Sequence, residues 1–209
     1  DVYKRQDTDV AWALRNWTAW NWLSGGQFVE QIVHTIDGMV WSMNEQLPLA
    51  AFGSGGRAQR RDDGDVWDHY DVYFEYDHNV TAHISCRQWV GCHGEIVDRT
   101  ICEKGMLVTP YRPYIQANNR WRFRGERGNM YADTHVAFYR FLRSGTWTQT
   151  LESAANKTLA AIMGREAAHT GQRITWEQIK KSTARLMPED LTMDTPLPPA
   201  RIPRPGRTA

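Results

Sequence analysis

His69-Tyr70-Asp71-Val72-Tyr73-Phe74-Glu75-Tyr76, the turn Asp77-His78-Asn79, and Val80-Thr81-Ala82-His83-Ile84-Ser85-Cys86-Arg87 decide the fold class. Tyr70, Val72, Phe74 and Tyr76 alternate with His69, Asp71, Tyr73 and Glu75. Val80, Ala82, Ile84 and Cys86 alternate with Thr81, His83, Ser85 and Arg87. A period of two sends successive side chains to opposite faces, so the two runs predict an antiparallel hairpin with one apolar and one polar face. Working outward, Leu47–Phe52, Glu95–Cys102, Met106–Thr109 and Ile115–Phe123 are further strand candidates, separated by Gly and Pro. Together they predict one sheet of five to seven strands, mostly antiparallel.

Helical periods flank this block. Val29, Ile32, Val33, Ile36 and Val40 recur at three- and four-residue steps, predicting a helix from Gln27 to Asn44 with Ser24 as a candidate N-cap. Two helices are expected over Tyr131–Arg143, stopped by Ser144-Gly145, and over Gln149–Thr170, stopped by Gly171, the second rich in small residues. A short helix follows at Trp176–Ser182. From Met187 onward, prolines 188, 196, 198, 199, 203 and 205 forbid a helix or a central strand. Residues 187–209 therefore read as an extended Pro-rich tail, 12–186 as one domain, and 1–11 as an unassigned segment. There are no alternating βαβ units, so the expectation is an α+β fold: an open, mostly antiparallel sheet with helices packed on one face.

The composition bounds the function. Of 209 residues, 41% are hydrophobic and 23% charged, with 25 Lys plus Arg against 24 Asp plus Glu. A charge of +1 gives no footprint for nucleic acid or an anionic membrane, and no apolar run approaches a membrane span. Cys86, Cys92 and Cys102 match no disulfide framework or zinc spacing and read as buried or half-buried thiols. Four of the ten tryptophans, Trp12, Trp17, Trp20 and Trp22, fall within eleven residues of a stretch with no clean period, a density suited to an aromatic-lined pocket or interface.

Three constellations could carry chemistry. Gly53-Ser54-Gly55-Gly56-Arg57-Ala58 has the G-x-G-x-x-[GA] spacing, but the charged loop Gln59 to Asp65 follows instead of the helix a pyrophosphate needs, so a glycine-rich strand exit is expected. On the first long helix, Glu30, His34, Asp37 and Trp41 fall at i, i+4, i+7 and i+11. A carboxylate one turn from an imidazole suits general acid/base chemistry; the same spacing also suits solvated surface groups or, without a further ligand, a metal site. Asp68, His69, His83, Arg87 and Gln88 read as polar groups on a solvent-facing or subunit-covered sheet surface.

The segment Leu23 to Asp37, with its Gly25-Gly26 start, Glu30, His34 and Asp37, resembles the Gfo/Idh/MocA oxidoreductase family, with Glu30 standing where Asp is usual. Arg15-Asn16-Trp17, Gly53 to Arg57, Tyr70 to Tyr76, Cys86-Arg87-Gln88, Arg143-Ser144-Gly145, Leu159 to Arg165 and Thr175-Trp176 are similar to a bacterial branch of it. The resemblance implies a glyceraldehyde-3-phosphate dehydrogenase-like C-terminal domain that supplies the substrate pocket. It implies His34 and Glu30 as catalytic residues, and Arg15, Asn16, Trp17, Asp37, Arg87 and Gln88 as substrate-binding ones, with no metal. In whole members a Rossmann domain binds NAD or NADP and supplies a Lys-Pro lysine. This sequence has neither, so it is expected to be a piece of a longer chain, with no cofactor held by these residues alone. The implied substrate is a sugar, polyol or glycoside, and the implied partner a second copy through the open sheet face, in a bacterial cytoplasm or periplasm. Alternatives are a stand-alone non-enzymatic carbohydrate-binding or oligomerisation domain, and an NAD-dependent glycoside hydrolase of the same family.

Overall fold

The computed structural model describes residues 8–109, 113–126, 128–146 and 150–206. Its elements in chain order are α1 (Asp9–Arg15), α2 (Asn21–Ser24), α3 (Gln27–Glu30), α4 (Val33–Ser42), β1 (Ala50–Gly56), β2 (His69–Glu75), β3 (Thr81–Arg87), β4 (Asp98–Cys102), β5 (Gly105–Thr109), β6 (Tyr114–Gln116), β7 (Trp121–Arg122), α5 (Met130–Ser144), α6 (Leu151–Thr170), β8 (Ile174–Thr175) and α7 (Trp176–Lys180). The fold is α+β, with antiparallel strands and helices, as the alternation predicts.

The strands form two sheets of four rather than one sheet, ordered β3-β2-β1-β8 and β4-β5-β6-β7. The chain correspondingly divides into two compact units, residues 1–92 with 156–209, and residues 93–155, where the sequence reads as one domain over 12–186. α1 begins at Asp9, so the boundary placed at residue 12 falls inside a helix whose N-cap is Thr8.

In the larger unit the hairpin pairs as its pattern requires: Tyr70 opposite Cys86, Val72 opposite Ile84, Phe74 opposite Ala82. His78 and Asn79 take positive φ in the turn, and the Tyr76 N–H closes it onto the Val80 carbonyl at 2.9 Å. Tyr70, Val72 and Phe74 face a core with Phe28, Ile36, Trp67 and Met163. Small residues of α6, Ala160, Ala161, Gly164, Ala167 and Ala168, are buried there, which lets the helix backbone approach the sheet. Burying each of Phe28 and Phe74 contributes about 2–3 kcal/mol. α7 starts at a capping box between Thr175 and Gln178.

The Pro-rich segment has no regular structure and lies on the same unit. Pro203 accepts from the Trp67 indole at 3.2 Å, and Leu197 and Ala200 pack on Ala13, Ala19 and Trp20.

The helix expected from Gln27 to Asn44 is interrupted. The Ile32 N–H reaches back five residues to the Gln27 carbonyl at 3.3 Å, and α4 starts afresh at Val33. Glu30 and His34 consequently belong to two helices, and their spacing does not place them one turn apart on a continuous face.

The smaller unit is a four-stranded meander plus α5. Asn129 caps this helix by accepting from the N–H groups of Tyr131 and Ala132, and Gly145 ends it at φ +66°. Val108 is the buried apolar side chain among this unit's described residues.

The cysteines correct their reading. Cys92 and Cys102 are exposed, and Cys86 is half-buried, its thiol pushed up to about 12 by burial.

Candidate functional site

The first 25 residues after Asp9 build one wall of a cleft. Ser24 donates its hydroxyl to the Trp20 carbonyl and accepts from the Gly26 N–H at 2.9 Å, which folds the chain over Gly25 and Gly26, both at positive φ. The turn needs glycine: a Cβ on Gly25 would meet Val29 at 2.8 Å, and one on Gly26 would meet the Asn21 side chain at 2.7 Å. It delivers Gln27 and Glu30 to the cleft.

The opposite wall is the loop after β1. Gly53 and Gly55 sit inside the strand, where a Cβ would lie 2.7 Å from the Asp71 carbonyl and 2.4 Å from the His69 carbonyl. Beyond Gly56 the chain turns into a loop ordered by Arg57, which donates to the Gly64 and Asp62 carbonyls, and by Arg60, which pairs with Asp62 and donates to the Thr18 carbonyl at 3.1 Å. No helix follows the glycines, so this run does not fit a dinucleotide phosphate, as its sequence context predicts. Gln88 and Val90, after β3, form the third side.

The enclosed volume is about 420 Å³. Four carboxamides line it, Gln27, Gln31, Gln59 and Gln88, with the carboxylates of Glu30 and Asp62 and the hydroxyls of Thr18 and Ser24. Gln88 donates to the Gln31 carboxamide at 3.0 Å. Gln59 pairs twice with the Val90 backbone, at 2.9 and 3.4 Å. Gln27 is buried, and its Oε1 has no hydrogen-bond partner.

Asp68 lies at the base. It is 1% exposed, which corrects its reading as a group on a solvent-facing strand surface. Burial alone would raise its pKa, but donors from His69, the Ala58 and Arg60 backbone and the Trp89 indole outweigh burial and hold the carboxyl well below the usual range.

Of the residues singled out by sequence as carriers of chemistry, the structure brings Glu30, Asp68 and Gln88 into the cleft lining and leaves His34, Asp37, Arg15, Asn16, Trp17 and Arg87 outside it. His34 is exposed on the first turn of α4, and among the described residues neither its ring nor the Glu30 carboxylate makes a side-chain hydrogen bond or ion pair. Asp37 is bound by Lys157 at 2.7 Å. Asn16 closes α1 on the Trp12 carbonyl, Arg15 is exposed at the end of that helix, and Trp17 is half-exposed in the turn that follows. Arg87 lies over the Trp89 ring at 5.4 Å. Thr18, Gln27, Gln31, Gln59 and Arg60 were not foreseen; the signal available for the last two was the charged stretch after the glycines. Among the described residues no group of three His, Cys, Asp or Glu could hold a metal, and no helix is long and apolar enough to cross a membrane.

No family model matches the sequence, and no curated protein is similar to it. Solved structures share its architecture. An oxidoreductase from Thermotoga maritima is 20% identical, with a TM-score of 0.62 over 76% of this chain and 49% of its own. The chain shares the fold of about half of that structure. Aldose-aldose oxidoreductase from Caulobacter crescentus, complexed with glycerol, is 12% identical with a TM-score of 0.62 over 76% of this chain and 50% of that one. An oxidoreductase from Agrobacterium radiobacter in complex with NAD+, L-tartaric acid and magnesium is 12% identical, with a TM-score of 0.53 over 69% and 47%. This chain thus spans about half the length of the structures it resembles, and at these identities the likeness is one of fold.

Proposed function

We propose that this chain is the substrate-binding and catalytic part of an NAD(P)-dependent oxidoreductase of the Gfo/Idh/MocA type, and that its cleft takes a neutral polyhydroxylated ligand: a sugar, a polyol or a glycoside. The lining carries this reading. Hydroxyl groups donate and accept at once, and so do the four carboxamides, while the Arg60 cation is engaged with Asp62, a carboxylate it shares with Arg57, and the Glu30 carboxylate in the same lining disfavours an anionic ligand. Glu30 supplies an acceptor for a ligand hydroxyl. In this reading Glu30 accepts from that hydroxyl and orients it; the family resemblance assigns the proton to His34, which is exposed on the first turn of α4 outside the cleft lining, so that role requires a ligand reaching beyond the lining. Oxidation also needs a nicotinamide, for which Gly53–Gly56 offers no seat, so the residues of this chain account for binding and for the proton.

Calorimetric titration of the 209-residue protein with myo-inositol, glucose and glycerol tests the cleft. Saturable binding is expected, weakened roughly tenfold by Glu30→Gln, the scale of one charge-assisted hydrogen bond. Absence of binding to all three, or unchanged affinity in Glu30→Gln, would refute it.

The reading extends to a second copy. Phe52 and Tyr73 are 42% and 37% exposed on the outer face of the larger unit's sheet; their rings stack with each other at 5.2 Å, and that of Tyr73 stacks with His83 at 4.4 Å. This exposed aromatic row supports self-association through that face. Sedimentation equilibrium should find a dimer or larger for the wild type and a monomer for Tyr73→Glu; a monomeric wild type ends this part of the proposal.

A further inference from the structure

Three stretches far apart in sequence meet at one carboxylate beneath the cleft. Asp68 Oδ2 accepts from the N–H groups of Ala58 at 2.9 Å, Gln59 at 2.7 Å and Arg60 at 2.8 Å. Its Oδ1 accepts from Ala58 at 3.0 Å, from His69 Nδ1 at 2.9 Å and from Trp89 Nε1 at 3.1 Å. Every partner is a donor, so the site demands a group that only accepts; an ionised carboxylate is that group, and an asparagine would turn its NH₂ toward donors whichever way the amide faced: the backbone N–H groups of 58–60 in one orientation, the Trp89 indole and the His69 ring in the other. The Asp68 backbone joins in, its carbonyl accepting from the Gln88 N–H at 2.8 Å.

These bonds fix what lines the cleft. The clamped backbone of 58–60 carries Gln59 and Arg60; Trp89 lies between Gln88 and Val90; and Gln59, paired with the Val90 backbone, ties the two walls together. We infer that Asp68 is the positioning residue of the cleft, holding the loop after β1 and the segment after β3 in the register that presents Gln59, Arg60 and Gln88 to a ligand. This rests on the polyol reading of the cleft only for the identity of the ligand. Asp68 itself need not touch it: the residue acts through the walls it holds, so its loss should alter both the mobility of one loop and the affinity of the site.

Amide hydrogen exchange and the indole resonances of the 209-residue protein, followed by NMR, test the inference together with titration by myo-inositol. In Asp68→Asn the amides of Ala58, Gln59 and Arg60 should exchange at least tenfold faster and the Trp89 Nε1–H resonance should move, while Val72 and Phe74 in β2 keep their protection. Myo-inositol affinity should fall several-fold. If Asp68→Asn loses protection throughout, Trp89→Phe, which removes one half-buried donor, is measured instead and should show the same two changes at smaller size. Unchanged exchange at 58–60 in a folded variant overturns the inference, as does faster exchange with unchanged affinity. A wild type that binds no polyol, while the loop still responds to Asp68→Asn, retires the polyol reading and leaves Asp68 as the organiser of the walls.

Discussion

The guanidinium of Arg165 donates to the carbonyl of Gly25 at 3.1 Å, joining the middle of α6 to the glycine turn that launches α3. The same side chain, 5% exposed, holds Glu166 through two hydrogen bonds of 3.0 and 2.7 Å. Removing it leaves a backbone acceptor and a partly buried carboxylate without their donor. Arg165→Met should lower stability by about 2 kcal/mol, read from the urea midpoint. Arg165→Lys should restore part of that loss, since an ammonium cannot span both acceptors with fork geometry. An unchanged midpoint in Arg165→Met would show that the turn stands without its latch.

Gly164 marks where α6 comes closest to the sheet. A Cβ there would lie 2.6 Å from the Phe28 ring and 2.8 Å from the Phe74 ring, both fully buried and stacked with centroids 6.4 Å apart. Neither ring has room to retreat, so helix propensity, which favours alanine, is overridden by overpacking. Gly164→Ala should destabilise by about 1–3 kcal/mol in chemical denaturation, whereas Gly38→Ala, with open space around its Cα on α4, should be neutral or stabilising.

The hairpin and α5 were legible because their signals are local. Period-two alternation fixes which side chains of 69–87 face inward, and Gly145 stops α5 at the position it occupies in the sequence. The break between α3 and α4 was not, because one hydrogen bond reaching five residues back interrupts the helix without disturbing the apolar spacing of Val29, Ile32, Val33, Ile36 and Val40 in the sequence, and it puts Glu30 and His34 on two helices. The division into two sheets depends on which strands pair, and alternation says nothing of partners. Asp68 was misread for the same reason: apart from its neighbour His69 its donors come from residues 58–60 and 89, and no spacing announces that a polar residue beside a strand is wanted by four donors from elsewhere in the chain.

His169 links the core to pH. Its Nε2 is hydrogen-bonded with the Tyr70 hydroxyl at 3.0 Å, its ring meets Trp67 edge-on at 4.5 Å, and burial, aided by the charge of Arg165, brings its pKa down to about 3. The unfolded chain takes up this proton near pH 6.5, the folded one far lower, so between these values the unfolded state binds more protons. Stability from this group is therefore complete above about pH 6.5 and declines as the pH falls through that window. The wild type should lose stability between pH 7 and pH 5, and His169→Gln, less stable at pH 7, should show a flatter dependence. Parallel profiles for the two proteins would place the acid sensitivity elsewhere.

Lys157 of α6 stands between two carboxylates, Asp37 in the middle of α4 at 2.7 Å and Glu45 just beyond that helix at 3.1 Å. Its hydrogen bond to Asp37 leads the influences that raise its pKa, so the ammonium stays charged across the neutral range. Its side chain is 14% exposed while those of Asp37 and Glu45 are 62% and 53% exposed, so water and salt reach the carboxylate side of both pairs. The Coulombic gain is accordingly small, under about 1 kcal/mol, and most of what Lys157 contributes is the packing of its aliphatic stem. Lys157→Met keeps that stem and deletes the charge. At low ionic strength it should lower the urea midpoint slightly, and in 1 M NaCl, where the screening length falls to about 3 Å, the difference from wild type should vanish. A deficit that persists at high salt would mean that the ammonium holds α4 and α6 together by geometry, through hydrogen bonds that salt does not screen.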